Sequence, residues 1–187
     1  MDTLFDCIAQ YHPISVTARK ELGKQLKKLE LPRNSLLVKE GAVCSQLYFL
    51  EKGCLRKFYN LDGKEVTHWL GFENNFTTSF YSFISRNPGI ENLQVLEDAV
   101  LWSVSYDDLQ ELMNKHRDLE RMVRIIQEQY YIKLEERIMA LQFKTAKERY
   151  EELMLASPHI LQRISLGQIA SYLGISQETL SRIRGQV

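Results

Sequence analysis

Residues 118–144 run without Gly or Pro, and apolar side chains recur through them at steps of three and four. That is the pattern of one continuous helix. At 1.5 Å per residue it spans about 40 Å. One apolar stripe is Leu119, Val123, Ile126, Tyr130, Leu134, Ile138 and Leu141; a second is Met122, Ile125, Ile132 and Met139. A helix with two apolar stripes must bury two faces. One face is expected to lie on the chain's own body. The other needs a second helix, and the simplest partner is its copy in a homodimer, with the first stripe as the interface.

Upstream the texture is that of strands. Short runs rich in β-branched and aromatic residues occupy 36–39, 47–50, 55–60 and 66–70, punctuated by Gly41, Gly53, Gly63 and Gly71. That rhythm predicts a small antiparallel sandwich or barrel. Asp62-Gly63 is a hairpin signal, because both residues accept positive φ. A further strand pair is expected at 91–96 and 99–104. Between these pairs, residues 72–89 are aromatic and hydroxyl-rich without clean alternation, which suggests a short helix and a loop. Residues 14–31 are expected to be helical as far as Pro32, and Ser105 should cap a helix carrying Asp107 and Asp108 in its first turn. Another short helix is expected over 146–157, ended by Pro158.

The most informative segment begins at Ser165. Ser165 and Gln168 form a capping box, Gly174 suits a left-handed helix end, and Ser176 can cap a second helix. Ile169, Ala170, Leu173, Leu180 and Ile183 would face inward. Gln177, Glu178, Ser181, Arg182 and Arg184 would face out, and these are side chains that read base edges or hold phosphates. The arrangement is helix, glycine turn, helix.

The run Ile169-Ala-x-x-Leu-Gly-Ile-Ser-x-Glu-Thr-Leu-Ser-Arg-Ile resembles the helix-turn-helix of Crp/Fnr-type bacterial transcription regulators, and the order of elements agrees over essentially the whole chain. The resemblance implies an α+β protein. It would have an N-terminal double-stranded β-helix or jelly roll of the cyclic-nucleotide-binding type (1–114) and a long dimerisation helix (115–144). An all-α helix-turn-helix domain (145–187) would follow. The family's wing is expected to be absent or cut off, since the sequence stops at Val187. Base reading falls to Gln177, Glu178, Ser181 and Arg182, and phosphate positioning to Ser165, Ser176, Thr179 and Arg184. The partners implied are a second copy of the chain, double-stranded DNA with a palindromic operator, and RNA polymerase.

The expected effector departs from the family's best-known one. Cyclic-nucleotide binders carry Gly-Glu-Leu and then Arg-Ser/Thr-Ala; here those places read Thr78-Ser79-Phe80 and Ile90-Glu91-Asn92. A phosphate beside Glu91 with no cation but Arg86 nearby would be costly in a closed pocket. Cyclic nucleotide is therefore not expected. Cys7, Cys44 and Cys54 do not cluster as iron–sulfur ligands, and His12, His68, His116 and His159 are too scattered to point to haem. No metal site is expected. An unknown small-molecule effector would lie among Trp69, Phe72, Phe76, Phe80, Phe83, Arg86 and Trp102.

Composition agrees with this reading. Of 187 residues, 24 are Lys or Arg and 24 Asp or Glu, so bulk neutralisation of DNA is excluded. Residues 1–114 hold 12 basic and 15 acidic residues, a net of −3, and residues 115–187 hold 12 and 9, a net of +3. No apolar run is long enough for a membrane span, and three cysteines without CxxC spacing argue against a disulfide framework. A cytoplasmic protein is expected. No nucleophile–base pair, phosphate loop or metal-ligand spacing marks an enzyme. The competing reading is a ligand sensor or interaction module that has lost specific DNA binding.

Overall fold

The computed structural model describes residues 1–185, and the last two positions of the expected 145–187 unit lie outside them. Two helices, α1 (Asp2–Tyr11) and α2 (Val16–Gln25), lead into eight strands. These are β1 (Lys27–Leu31), β2 (Leu36–Val38), β3 (Gln46–Lys52), β4 (Leu55–Leu61), β5 (Lys64–Gly71), β6 (Asn75–Thr77), β7 (Glu91–Val95) and β8 (Ala99–Ser105). A short helix, α3 (Phe80–Ser85), interrupts the strands. The strands form two antiparallel four-stranded sheets, β1-β8-β3-β6 and β2-β7-β4-β5. Leu50, Leu55, Leu93 and Leu101 fill the space between them. The β4–β5 hairpin turns at Asp62 and Gly63, both with positive φ, as the dipeptide predicts.

Two parts of the N-terminal expectation are corrected. Residues 27–31 are strand β1, not helix, paired antiparallel with β8 from Lys27↔Ser103 to Leu31↔Ala99. Leu29 and Leu31 alternate inward while Lys28 and Glu30 stay exposed, a period of two that the upstream leucines masked. Helix α1 was not foreseen. Its Leu4, Phe5, Cys7 and Ile8 are buried in one core with Leu109, Leu119 and Val123. Strand β6 was also unforeseen, hidden in the aromatic stretch.

Helix α4 (Tyr106–Lys115) starts where Ser105 accepts a hydrogen bond from the Asp108 amide. Helix α5 (Arg117–Phe143) is the long helix. Its first half presents Leu119, Met122, Val123 and Ile126 to the core of the β roll. Then come α6 (Ala146–Ala156), opened by a Thr145–Glu148 capping box, the short α7 (Ile160–Arg163), α8 (Leu166–Leu173) and α9 (Gln177–Arg184). Ile160, Ile164, Ile169, Leu173, Leu180 and Ile183 make the C-terminal core, which also takes in Cys54 and Leu96 of the roll. Among the described residues no helix is long and apolar enough to cross a membrane.

Candidate nucleic-acid interface

The α8–α9 pair is built by local chemistry. The Ser165 hydroxyl accepts from the Gln168 amide, and Gln168 returns to the Ser165 amide, closing the box. Gly174 ends α8 at φ +69°, where a side chain is strained. The Ser176 hydroxyl accepts from the Thr179 amide and starts α9. Leu180 and Ile183 are buried, which turns Gln177, Glu178, Ser181, Arg182 and Arg184 to solvent. All the residues expected to read bases therefore share one open face. Arg182 donates to the Thr179 hydroxyl at 3.3 Å. Of the phosphate candidates, Ser165 and Ser176 have their hydroxyls committed to caps, and Thr179 is half-buried.

The other side of this unit is docked on the roll. The Thr67 amide on β5 donates to the Ser171 hydroxyl at 2.8 Å. Arg137 of α5 donates to the His68 carbonyl at 3.1 Å and to the Tyr172 carbonyl. Arg163 forks to both Glu73 and Glu97 of the roll. Burial works to raise the Glu73 carboxyl, but its hydrogen bond to Arg163 helps hold the group below its ordinary value, and the Arg163 guanidinium is held further up by its hydrogen bonds to Glu73 and Glu97. Sequence reasoning missed this network, because nothing local marks a pair 66 or 90 residues apart.

Within the roll, Lys57 is 1% exposed and its ammonium has no hydrogen-bond partner among the described residues. It lies 4.8 Å from the Phe80 ring centre, 5.0 Å from Tyr130 and 5.6 Å from Trp69. Burial pushes it down to about 8, with the Glu91 charge opposing. Glu91 is itself buried and sits 2.7 Å from His68 Nε2. Burial works to raise the Glu91 carboxyl, but the His68 contact and the Lys57 charge outweigh it and hold the group below its ordinary value. Lys57, not Arg86, is thus the cation beside Glu91. A lysine whose folded value is lowered penalises folding while it is charged, and the penalty fades as pH rises toward the unfolded value. Relative to Lys57→Met, the wild-type protein should gain about 3 kcal/mol of stability in urea titrations between pH 7.5 and 10.5; a constant gap over that range would contradict the buried ammonium.

A cleft of about 520 Å³ opens between the β5–β6 edge, α5 and the C-terminal helices. Trp69, Phe72, Phe76 and Phe80 of the expected effector pocket line it. The other three members do not. Phe83 is buried in the core under α4 and α5, and Trp102 lies on that same side, its indole donating to Glu51 at 2.6 Å. Arg86 lies over the Tyr106 ring, and its Nη1 donates to the Cys44 and Phe83 carbonyls, which ties it to closing a loop. Among the described residues no group of acidic, His and Cys side chains is placed to hold a metal. The three cysteines are free and buried, and burial pushes the Cys54 thiol up to about 12.

A family model described as the cyclic nucleotide-binding domain matches residues 28–116. Comparison with curated proteins by sequence gave no match. Solved structures match over most of the chain. FixK2 from Bradyrhizobium japonicum has 18% identity and a TM-score of 0.76, covering 86% of this chain and 83% of its own. A protein from Eubacterium rectale assigned to the crp/fnr family of transcriptional regulators has 16% identity and a TM-score of 0.73, covering 93% and 85%. The c-di-GMP-responsive global regulator CLP of Xanthomonas campestris has 17% identity and a TM-score of 0.69, covering 92% and 91%. The chain has the Crp/Fnr-type fold.

Within this fold the long-helix stripe divides in two. Leu119, Val123 and Ile126 are buried in the protomer's own core, and the Tyr130 ring stacks on Phe80 at 3.9 Å. The first three are consumed internally, and Tyr130 is half-buried on the cleft side of α5. Leu134, Ile138 and Leu141 are exposed, as are Tyr131, Ile132, Met139 and Phe143. The apolar stripe is inward where α5 lies on the core of the roll, as far as Ile126, and exposed further along.

Proposed function

We propose that this protein is a homodimeric, sequence-specific DNA-binding transcription regulator. The observation that carries the reading is α9: a capped helix on a buried Leu180–Ile183 seam, with Gln177, Glu178, Ser181 and Arg182 all open to solvent. Arg182 would offer a guanidinium to guanine O6 and N7, and Glu178 would accept from cytosine N4. Arg184 would take a phosphate. The exposed apolar end of α5 would pair with its copy, which sets two recognition helices about 34 Å apart on one face of a palindromic operator. RNA polymerase would be a further partner.

Gel-shift titration against the selected operator tests the reader. Arg182→Ala is expected to cost roughly 1–3 kcal/mol of specific affinity and to relax the preference at one base pair per half-site. Unchanged affinity and preference would remove Arg182 from the reading face. A binding constant without dependence on salt would favour the rival reading, a sensor or interaction module without DNA function.

A cyclic nucleotide would not be the effector on this reading. Its phosphate would meet the Glu91 carboxylate, and the nearby Lys57 ammonium is buried against the Trp69, Phe80 and Tyr130 rings. The regulator would respond to a different ligand or to none.

A further inference from the structure

The inner face of α5 changes chemistry half-way along its length. Leu119, Met122, Val123 and Ile126 are buried there, but the following turns carry Gln129, Lys133 and Arg137 on the same side. Charged groups facing a packed sheet would be costly. These face the 520 Å³ cleft instead. Its volume lies within the range of small-molecule sites.

One wall of the cleft is aromatic. The Phe80 and Tyr130 rings stack at 3.9 Å, and Trp69 meets Tyr130 at 4.9 Å. Thr77 lines the same cleft; it is 3% exposed, and its hydroxyl has no hydrogen-bond partner among the described residues. A buried, unpaired hydroxyl costs free energy unless an occupant of the cleft supplies its partner.

The charge lining the cleft sets the sign of that occupant. Lys133, Arg137, Lys144 and Arg149 outnumber Glu136 and Glu152. Lys144 and Glu152 pair with each other at 2.6 Å. Arg137 and Arg149 each donate to two backbone carbonyls, which orients them without cancelling their charge. Lys133 has no ion pair among the described residues. One free ammonium in a net-positive cleft suits a single carboxylate.

We propose that the cleft binds a small aromatic carboxylate, its ring against Trp69, Phe80 and Tyr130 and its carboxylate on Lys133, with the Thr77 hydroxyl as a second polar contact. The occupant would touch the roll through Trp69 and Thr77, α5 through Lys133, and the α8 end through Tyr172. It would therefore bridge the parts whose relative position sets the spacing of two α9 helices. That consequence rests on the DNA-reading function proposed above; binding itself does not.

The test titrates 1-naphthoate into the full chain without DNA, by calorimetry and by tryptophan fluorescence, beside naphthalene-1-methanol, cyclohexanecarboxylate and cyclic AMP. Saturable binding of 1-naphthoate is expected, at least tenfold tighter than binding of the neutral alcohol or the ring-saturated acid. Lys133→Met should weaken it about tenfold, one unit of RT ln 10. Glu136→Gln should strengthen it. Both positions are exposed on α5, so circular dichroism should show both variants folded. Three results would each overturn the proposal: no saturable binding of 1-naphthoate, equal binding of the alcohol, or indifference to Lys133→Met. Tighter binding of cyclic AMP than of 1-naphthoate would overturn it as well. Since no DNA is present, this result stands or falls separately from the operator measurement.

Discussion

Leu134→Glu combined with Ile138→Glu is expected to leave the chain folded and monomeric, and to lower operator affinity on the order of a thousandfold. Both side chains are exposed in the protomer, Ile138 at 49%, so charge there costs the single chain little. In a dimer the same positions would set four carboxylates along one helix–helix seam, buried and without cations, which outweighs what an apolar seam of this length supplies. A monomer holds one half-site, and roughly half of a specific binding energy of ~4–10 kcal/mol is then forfeited. Sedimentation velocity and gel-shift titration read the two effects. The matching change at Leu119 would act differently: Leu119 is buried in its own chain, so Leu119→Glu should unfold the roll before it touches assembly.

Leu180→Ala should destabilise the C-terminal unit by about 2–5 kcal/mol. Leu180 is fully buried, against Ile169, Ala170 and Leu173 among others. The unit is small and has few other side chains of that size to hold α9 in place, so the loss falls on the recognition helix itself. Thermal unfolding followed by circular dichroism should show an earlier transition, and DNA binding should fall with it while the roll keeps its melting point. A single unshifted transition would contradict the account of the α8–α9 core.

The parts legible in the sequence were those fixed locally. The long helix was expected over 118–144 and runs Arg117–Phe143, because nothing within it breaks a helix. The second capping box, Gly174 and Ser176 specify α8 and α9 within a few residues of themselves. Strand β1 was not legible, since Leu22, Leu26 and Leu29 also fit a helical count and only pairing with β8 decides between them. Which face of α5 is inward depends on the body beneath it, and the packed core of the roll reaches along α5 only as far as Ile126. The stripe therefore changes from core to surface without any change in its spacing. Lys57 was missed because alternation in β4 fails: Leu55, Arg56, Lys57 and Phe58 are all buried, so a charged residue there gives no sign of its position. Arg163, Glu73 and Glu97 come together only through the docking of α8 on β5.

Selection of bound sites from a pool of random duplexes tests the central claim most directly. The account predicts enrichment of a palindrome whose half-sites are centred about one helical turn, ~34 Å, apart. It also predicts that the Arg182→Ala protein selects the same spacing with one base pair per half-site no longer specified. A pool that stays random, or that yields an isolated half-site without a symmetric partner, would contradict it.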